Sequence, residues 1–188
     1  MKGQIIVILA AAIIGWSCPA AAGNNRWVVS TNLPTWALLG TINADIHYQT
    51  SSHWCIEAGA KYNPFKYTWG ATIQIQLRQL TPHIGIRYWI HSANNGWYLG
   101  SRLIASEYSV SYPFGELFFD GDLAGGELNF GYSWPLCEKI RLEAGAGTAA
   151  AYGKTAYYAG PVCGRILDIK RGWTIFPSEL RLSLSLIL

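Results

Sequence analysis

The 188-residue chain has a formal charge of +3 and is 51% hydrophobic but only 13% charged, where an average soluble domain is roughly 25% charged. The length suits one domain rather than two. The balance is close to neutral, with thirteen basic against eleven acidic residues once Lys2 is set aside, so no basic stripe for nucleic acid exists.

The first residues read as a signal peptide spanning 1–22. Lys2 is the positive region, Ile5 to Ile14 the apolar run, and Ala20 to Ala22 the small-residue site, with cleavage after Ala22. Lipidation at Cys18 is the alternative, although Gly15-Trp16-Ser17 is a poor lead-in. Beyond Ala22, no apolar run approaches the ~20 residues that a membrane helix needs. Three cysteines remain, Cys55, Cys137 and Cys163. An odd number is not a disulfide framework, so three unpaired thiols are expected.

From Trp27 onward the pattern has a period of two, which belongs to strands. Trp27 to Leu33 sets Trp27, Val29 and Thr31 against Val28, Ser30 and Asn32. After a loop, Pro34 to Gly40, Thr41 to Gln49 sets Ile42, Ala44, Ile46 and Tyr48 against Asn43, Asp45 and His47. Trp54 to Tyr62 follows a short link, and Asn63 to Gly70 is a longer loop. Thr72 to Ile90 is long, and its apolar positions change from odd (Ile73, Ile75, Leu77) to even (Ile84, Ile86, Tyr88) around Leu80-Thr81-Pro82. Proline cannot donate to a ladder, so a bulge or break is expected there, with the outer part projecting as an arm.

Asn95-Gly96 marks a tight turn, and Trp97 to Tyr108 is the next strand, with Tyr98, Gly100 and Arg102 on its polar face. Ser109 to Gly121 is a loop. Asp122 to Trp134 and Lys139 to Tyr152 alternate in the same way across a short turn. A long segment, Gly153 to Ser178, leads to Glu179 to Leu188, where leucine holds every even position and Arg181, Ser183 and Ser185 lie between.

Eight strands with alternating short and long connections predict an all-β fold over residues 23–188. The expected architecture is an eight-stranded antiparallel up-and-down transmembrane β-barrel, with short periplasmic turns and longer extracellular loops. An even strand count leaves both termini periplasmic, in the outer membrane of a Gram-negative bacterium. Aromatics are expected at both membrane interfaces: Trp27, Tyr48, Trp54, Trp97 and Trp134 at one, Tyr62, Tyr108 and Tyr152 at the other. The sparse polar face carries Asp45, Glu57, Lys61, Arg87, Arg102, Glu127, Arg141, Glu143 and Arg181. An eight-stranded interior is just wide enough for side chains to fill, and buried charges need partners. These nine are therefore expected to form an ion-pair network that plugs the lumen. A soluble lipocalin-like cup would carry the same alternation turned inside out.

Several motifs occur in order: Asn63-Pro-Phe65, Arg87-Tyr-Trp89, Gly126-Glu-Leu-Asn-Phe-Gly-Tyr-Ser-Trp-Pro135 and Leu142-Glu-Ala-Gly-Ala-Gly147. Together they resemble a family of small outer-membrane barrels from Bacteroidota that is defined only as a domain of unknown function (DUF3575). The resemblance runs from about Val28 to Leu188, and the Leu136-Cys137-Glu138 turn departs from it. It implies the barrel fold and suggests an association with fimbrial or surface assembly.

The residues do not gather into a catalytic constellation. His53 and His91 fall in turns and His83 beside Pro82. Asp45 and His47 share a face two residues apart, and the pair is read as a lumen hydrogen bond. No metal or cofactor is expected. The outer segment carries Lys154, Tyr157, Tyr158, Arg165, Lys170, Arg171 and Trp173, the residue types that anchor protein contacts. The expected role is a non-enzymatic structural or accessory subunit. Its partners would be outer-membrane lipid and lipopolysaccharide, and a fimbrial or other surface protein or glycan met by the loops. An outer-membrane lipid-modifying enzyme and a narrow porin are the alternatives.

Overall fold

A computed structural model of the chain describes residues 26–69, 73–111, 117–159 and 165–188. The expected leader, Cys18 and Cys163 lie outside them. The described chain is an all-β antiparallel sheet with one short helix. Its elements are β1 (Trp27–Asn32), α1 (Leu33–Ala37), β2 (Ile42–Gln49), β3 (Trp54–Asn63), β4 (Lys66–Trp69), β5 (Ile73–Trp89), β6 (Gly96–Ser111), β7 (Leu117–Pro135), β8 (Ile140–Ala159) and β9 (Ile166–Ile187).

Hydrogen bonding closes the strands into a ring. Neighbours in sequence pair throughout, with one substitution and one closure. β3 pairs with β5, from Trp54↔Tyr88 to Asn63↔Gln79. β1 pairs with β9, from Val28↔Ile187 to Asn32↔Ser183. β4 stands beside the ring, on the upper part of β5 through Lys66↔Gln76 to Trp69↔Ile73. The structure therefore has nine strands among the described residues. The extra one, β4, falls in the stretch expected to be a loop.

The second expected loop, Pro34 to Gly40, contains α1. Pro34 lies in its first turn, where the missing amide is not needed. Leu39 and Gly40 then take positive φ of 51° and 73°, which returns the chain to β2. The β5–β6 turn is placed slightly earlier than the Asn95-Gly96 signal. Asn94 and Gly96 take positive φ of 65° and 83°, and the Asn95 amide donates to the Ser92 carbonyl at 3.1 Å.

The bulge expected at Pro82 is absent. β5 keeps one register on β3 through Ala60↔Pro82, and one register on β6 either side of the proline, Leu80↔Glu107 and His83↔Ile104. The missing donor removes a rung without inserting a residue. The apparent change of parity has another cause: Leu77 points inward with Gln79, Thr81 and His83, because the upper lumen is apolar and the lower lumen polar. The register does shift in β9, between Gly147↔Glu179 and Thr148↔Pro177, leaving Ser178 as the extra residue. Below it, Glu179, Arg181, Ser183 and Ser185 are the buried face. Above it, Phe176 turns to the lumen while Trp173 and Ile175 stand out.

The long segments expected after Ser109 and Gly153 are mostly strand. β5 to β9 have 17, 16, 19, 20 and 22 residues, against 6, 8 and 10 in β1 to β3. Alternating small and polar residues continue the ladder well past Tyr108 and Tyr152, so β6 to β9 rise as antiparallel arms above the ring. The molecule is inverted relative to a water-soluble domain. Its buried face is polar, and Leu99, Leu103, Leu128, Phe130 and Leu180 are exposed on the other side.

Candidate functional site

Inside the ring the charged residues form one continuous layer. Gly59 and Gly100 leave room for it, since added side chains there would meet His83 and Asn129. Glu57, on β3, is fully buried and sits between two guanidinium groups. Arg87 Nη2 donates to Glu57 Oε2 at 2.8 Å, and Arg102 Nε donates to Glu57 Oε1. Arg87 also reaches Glu143 at 3.0 Å. Arg102 spans the lumen, reaching Glu127 at 3.2 Å and Glu179 at 2.8 Å through Nη1. Arg181 joins Asp45 at 3.3 Å, Glu179 at 3.0 Å and Glu143 at 3.6 Å. Lys61 lies 3.7 Å from Glu179.

Eight of the nine residues proposed for the network are thus joined in it. Arg141 is not: it is half-buried, and among the described residues it makes no ion pair. Glu179 was not anticipated, although it is buried on the same face as Arg181 two residues away. The Asp45–His47 pairing is also corrected. His83 Nε2 faces Asp45 at 3.1 Å, while His47 lies 3.3 Å from Glu57 and 3.0 Å from Ser30 Oγ. Residues i and i+2 are separated by two strand rises, about 6.6 Å, whereas directly opposed cross-strand positions such as His47 and Glu57 come within about 5 Å. Asp45 and His83 flank Gly59 on either side, where the missing side chain lets them meet. The lateral neighbours win. One consequence is local: a Cβ on Gly59 would lie 2.9 Å from His83 Cε1 and 2.6 Å from the Ala44 carbonyl. Gly59→Val is expected to lower unfolding stability by about 1–3 kcal/mol through overpacking, read in urea titrations of the refolded protein.

At the lower edge of this layer the Arg87 guanidinium lies 4.2 Å from the Tyr98 ring and 5.6 Å from the Trp89 ring, and Cys55, Trp89 and Tyr98 pack together beneath it. Cys55 is free and buried, but Cys137 is disulfide-bonded. The expectation of three unpaired thiols is corrected accordingly. An odd count rules out a fully paired set but leaves room for one bridge beside a free thiol.

On the outside, Trp27, Trp54, Trp97 and Trp134 are exposed at the end of the ring that bears the short turns. Tyr48 packs on Trp27 with ring centroids 4.7 Å apart. Tyr88 and Tyr132 add to this belt, 5.0 Å from Trp54 and 5.1 Å from Trp97. Tyr62 and Tyr152 are exposed toward the arms. Tyr108 does not belong with them. It faces the lumen, its hydroxyl bonded to Thr155 Oγ1 at 2.6 Å, as its shared parity with Tyr98, Gly100 and Arg102 requires.

The candidate partner-binding residues lie on a hairpin rather than a loop. Lys154, Tyr157 and Tyr158 are in β8, Lys170, Arg171 and Trp173 in β9, and Arg165 stands just before β9. Lys154 pairs with Arg171 and Tyr152 with Trp173, whose rings are 5.8 Å apart. The Lys170 ammonium lies 5.4 Å from the Tyr157 ring and 4.0 Å from Asp168.

A closed ring of antiparallel strands, with an ion-paired interior and an apolar exterior, defines the class of this protein. The chain belongs to the family described as protein of unknown function (DUF3575), whose model matches residues 5–188. No curated protein and no solved structure gives a match.

Proposed function

We propose that the ring is an eight-stranded transmembrane barrel of the Gram-negative outer membrane, acting without catalysis as an anchor or accessory subunit. Its projecting hairpins would meet a surface partner such as a fimbrial or other surface protein, a glycan or lipopolysaccharide. The observation that carries this reading is the distribution of side chains about the sheet. Arg87, Arg102, Glu57 and Glu143 are sealed inside, while Leu103 and Leu128 are 69% and 64% exposed. Burial of apolar surface is the dominant favourable term for a protein in water, and a water-soluble barrel would place these residues the other way round. A belt of leucine, isoleucine and phenylalanine bounded by tryptophan and tyrosine suits a bilayer.

Two further features support the role. The ion-pair layer crosses the lumen, which argues for a support rather than a conduit. A membrane-spanning strand needs roughly 9–11 residues, so strands of 19 to 22 residues extend well past the bilayer. They carry Lys170, Arg171 and Trp173 with them. The orientation has a direct test. In intact cells an impermeant amine-reactive biotin reagent is expected to label Lys170, whose side chain is 69% exposed, and to leave Lys139 at the opposite end unlabelled until the cells are lysed. Labelling of Lys139 alone would invert the barrel. Recovery of the protein in the soluble periplasmic fraction would overturn the membrane reading.

A further inference from the structure

Above the ion-pair layer the lumen holds a cavity of about 540 Å³, within the roughly 300–1,000 Å³ of small-molecule sites. Most of its exposed wall is hydrocarbon, from Leu77, Ile104, Val110, Leu123 and Phe176. Several polar groups on the same wall bond to one another. Thr81 Oγ1 and Ser106 Oγ are 2.7 Å apart, as Tyr108 and Thr155 are bonded to each other. Toward the charged floor the supply of partners runs out. Ser178 Oγ, on the bulge, is buried without a hydrogen-bond partner among the described residues. Among the described residues Lys61 Nζ reaches only the Ser178 carbonyl at 3.4 Å and Glu179 at 3.7 Å.

The same cavity reaches the outer surface. Leu38 and Leu180 line it, yet they are 59% and 71% exposed. Ile104, on the same lining, is buried. The passage lies where the wall of the ring changes character. Pairing of β1 with β9 stops at Asn32↔Ser183. Above that rung the Asn32 side chain makes the seam, donating to the Leu180 carbonyl at 2.9 Å and accepting from the Leu182 amide at 2.9 Å. Beyond Leu180, among the described residues, no main-chain partner continues the ladder on that side of β9. The five residues of α1 stand there instead, without a side-chain N-cap bond.

We infer that this cavity is a binding site for a single acyl chain, admitted sideways between α1 and β9, with its hydrogen-bonding head group beside Lys61 and Ser178. The inference rests on the transmembrane reading, because the doorway then opens into the lipid leaflet. A largely apolar wall selects a hydrocarbon chain. The orphaned hydroxyl and the loosely held ammonium, 3.4 Å from the Ser178 carbonyl and 3.7 Å from Glu179, select a head that accepts hydrogen bonds, as a carboxylate or an ester does.

The test is photolabelling in lipid vesicles with hexadecanoic acid carrying a diazirine near its tail, with labelled residues mapped by mass spectrometry. The expected result is label on the lumen-facing Ile104, Leu123 or Phe176 as well as on the outward-facing Leu99 and Leu103. Leu123→Trp, which fills the cavity, should cut the lumen label about tenfold and leave the outer label unchanged. Heat-modifiable migration on a gel checks that this variant folds, and the smaller change Ile104→Phe replaces it if it does not. Label confined to Leu99 and Leu103 would overturn the site while keeping the membrane reading. Lumen label that both variants leave intact would also overturn it. Lumen label without outer label would keep the site and overturn the membrane reading. Label on neither face would overturn both.

Discussion

Glu57→Ala is expected to destabilise the protein by about 3–5 kcal/mol, the cost of leaving buried charge without its counterpart. Glu57 is fully buried, and it is the one carboxylate shared by Arg87 and Arg102. Its removal leaves Arg87 with Glu143, and Arg102 with Glu127 and Glu179, while two guanidinium groups face the emptied space with no anion between them. Desolvating those cations has already been paid for by the fold, so nothing offsets the lost attraction. Urea unfolding of protein refolded into lipid vesicles, followed by the loss of fast migration on unboiled gels, gives the number. Glu57→Gln, which keeps the volume and part of the hydrogen bonding, should fall between wild type and alanine. A loss below about 1 kcal/mol for Glu57→Ala would mean that water solvates the layer, and the lumen would then be an aqueous path rather than a plug.

The second large effect is expected on the opposite face. Leu103→Arg should cost about 2–4 kcal/mol in vesicles, the range for arginine at the midplane of a bilayer. Leu103 lies between Ile84 and Gly126 on the neighbouring strands, well inside the aromatic belts. The same change at Trp97, within the belt, should cost less charge penalty because it lies near the interface. If the apolar face met water instead, Leu103→Arg would be a surface substitution worth within about 0.5 kcal/mol. The two outcomes are separated by more than the error of a titration. A near-neutral result would remove the membrane from the reading, whatever the shape of the ring.

Much of this arrangement was legible in the sequence because a period of two is unforgiving. A one-residue slip moves every side chain to the other face, so Asp45, Glu57, Arg87, Arg102, Glu127, Glu143 and Arg181 could be assigned to one interior from alternation alone. Glu179 carries the same signal, two residues before Arg181, at the very start of the expected strand. Tyr108 was misplaced by composition overriding parity.

Other features left no periodic trace. The partners across the ring, Arg102 with Glu179 or His83 with Asp45, depend on curvature and register between strands. Pro82 is the expected place for a bulge and has none, whereas Pro177, inside the segment expected to lead into the last strand, lies beside one. Proline removes a donor, but whether a residue is inserted depends on the partner strand. The arms were read as loops because charged and aromatic residues replace the apolar–polar alternation once neither face is buried. Upper β9 is an example, with Ile166, Leu167, Ile169 and Trp173 all exposed.

The seam between β1 and β9 also bears on how the chain reaches its final state. It joins Val28 to Ile187 and is made of five residue pairs, whereas the β7–β8 hairpin zips from Pro135↔Arg141 to Leu117↔Ala159 starting from a short local turn. Contacts near in sequence form faster than those that must first close a long loop. The hairpins of β6 to β9 are thus expected to assemble early as an open, curved sheet, and ring closure, which brings the two ends of the described chain together, to come last. Until that step the charged layer is incomplete, since Arg181 and Asp45 lie on strands that meet only through the seam. The slow step of folding and the sealing of the interior would then be one event.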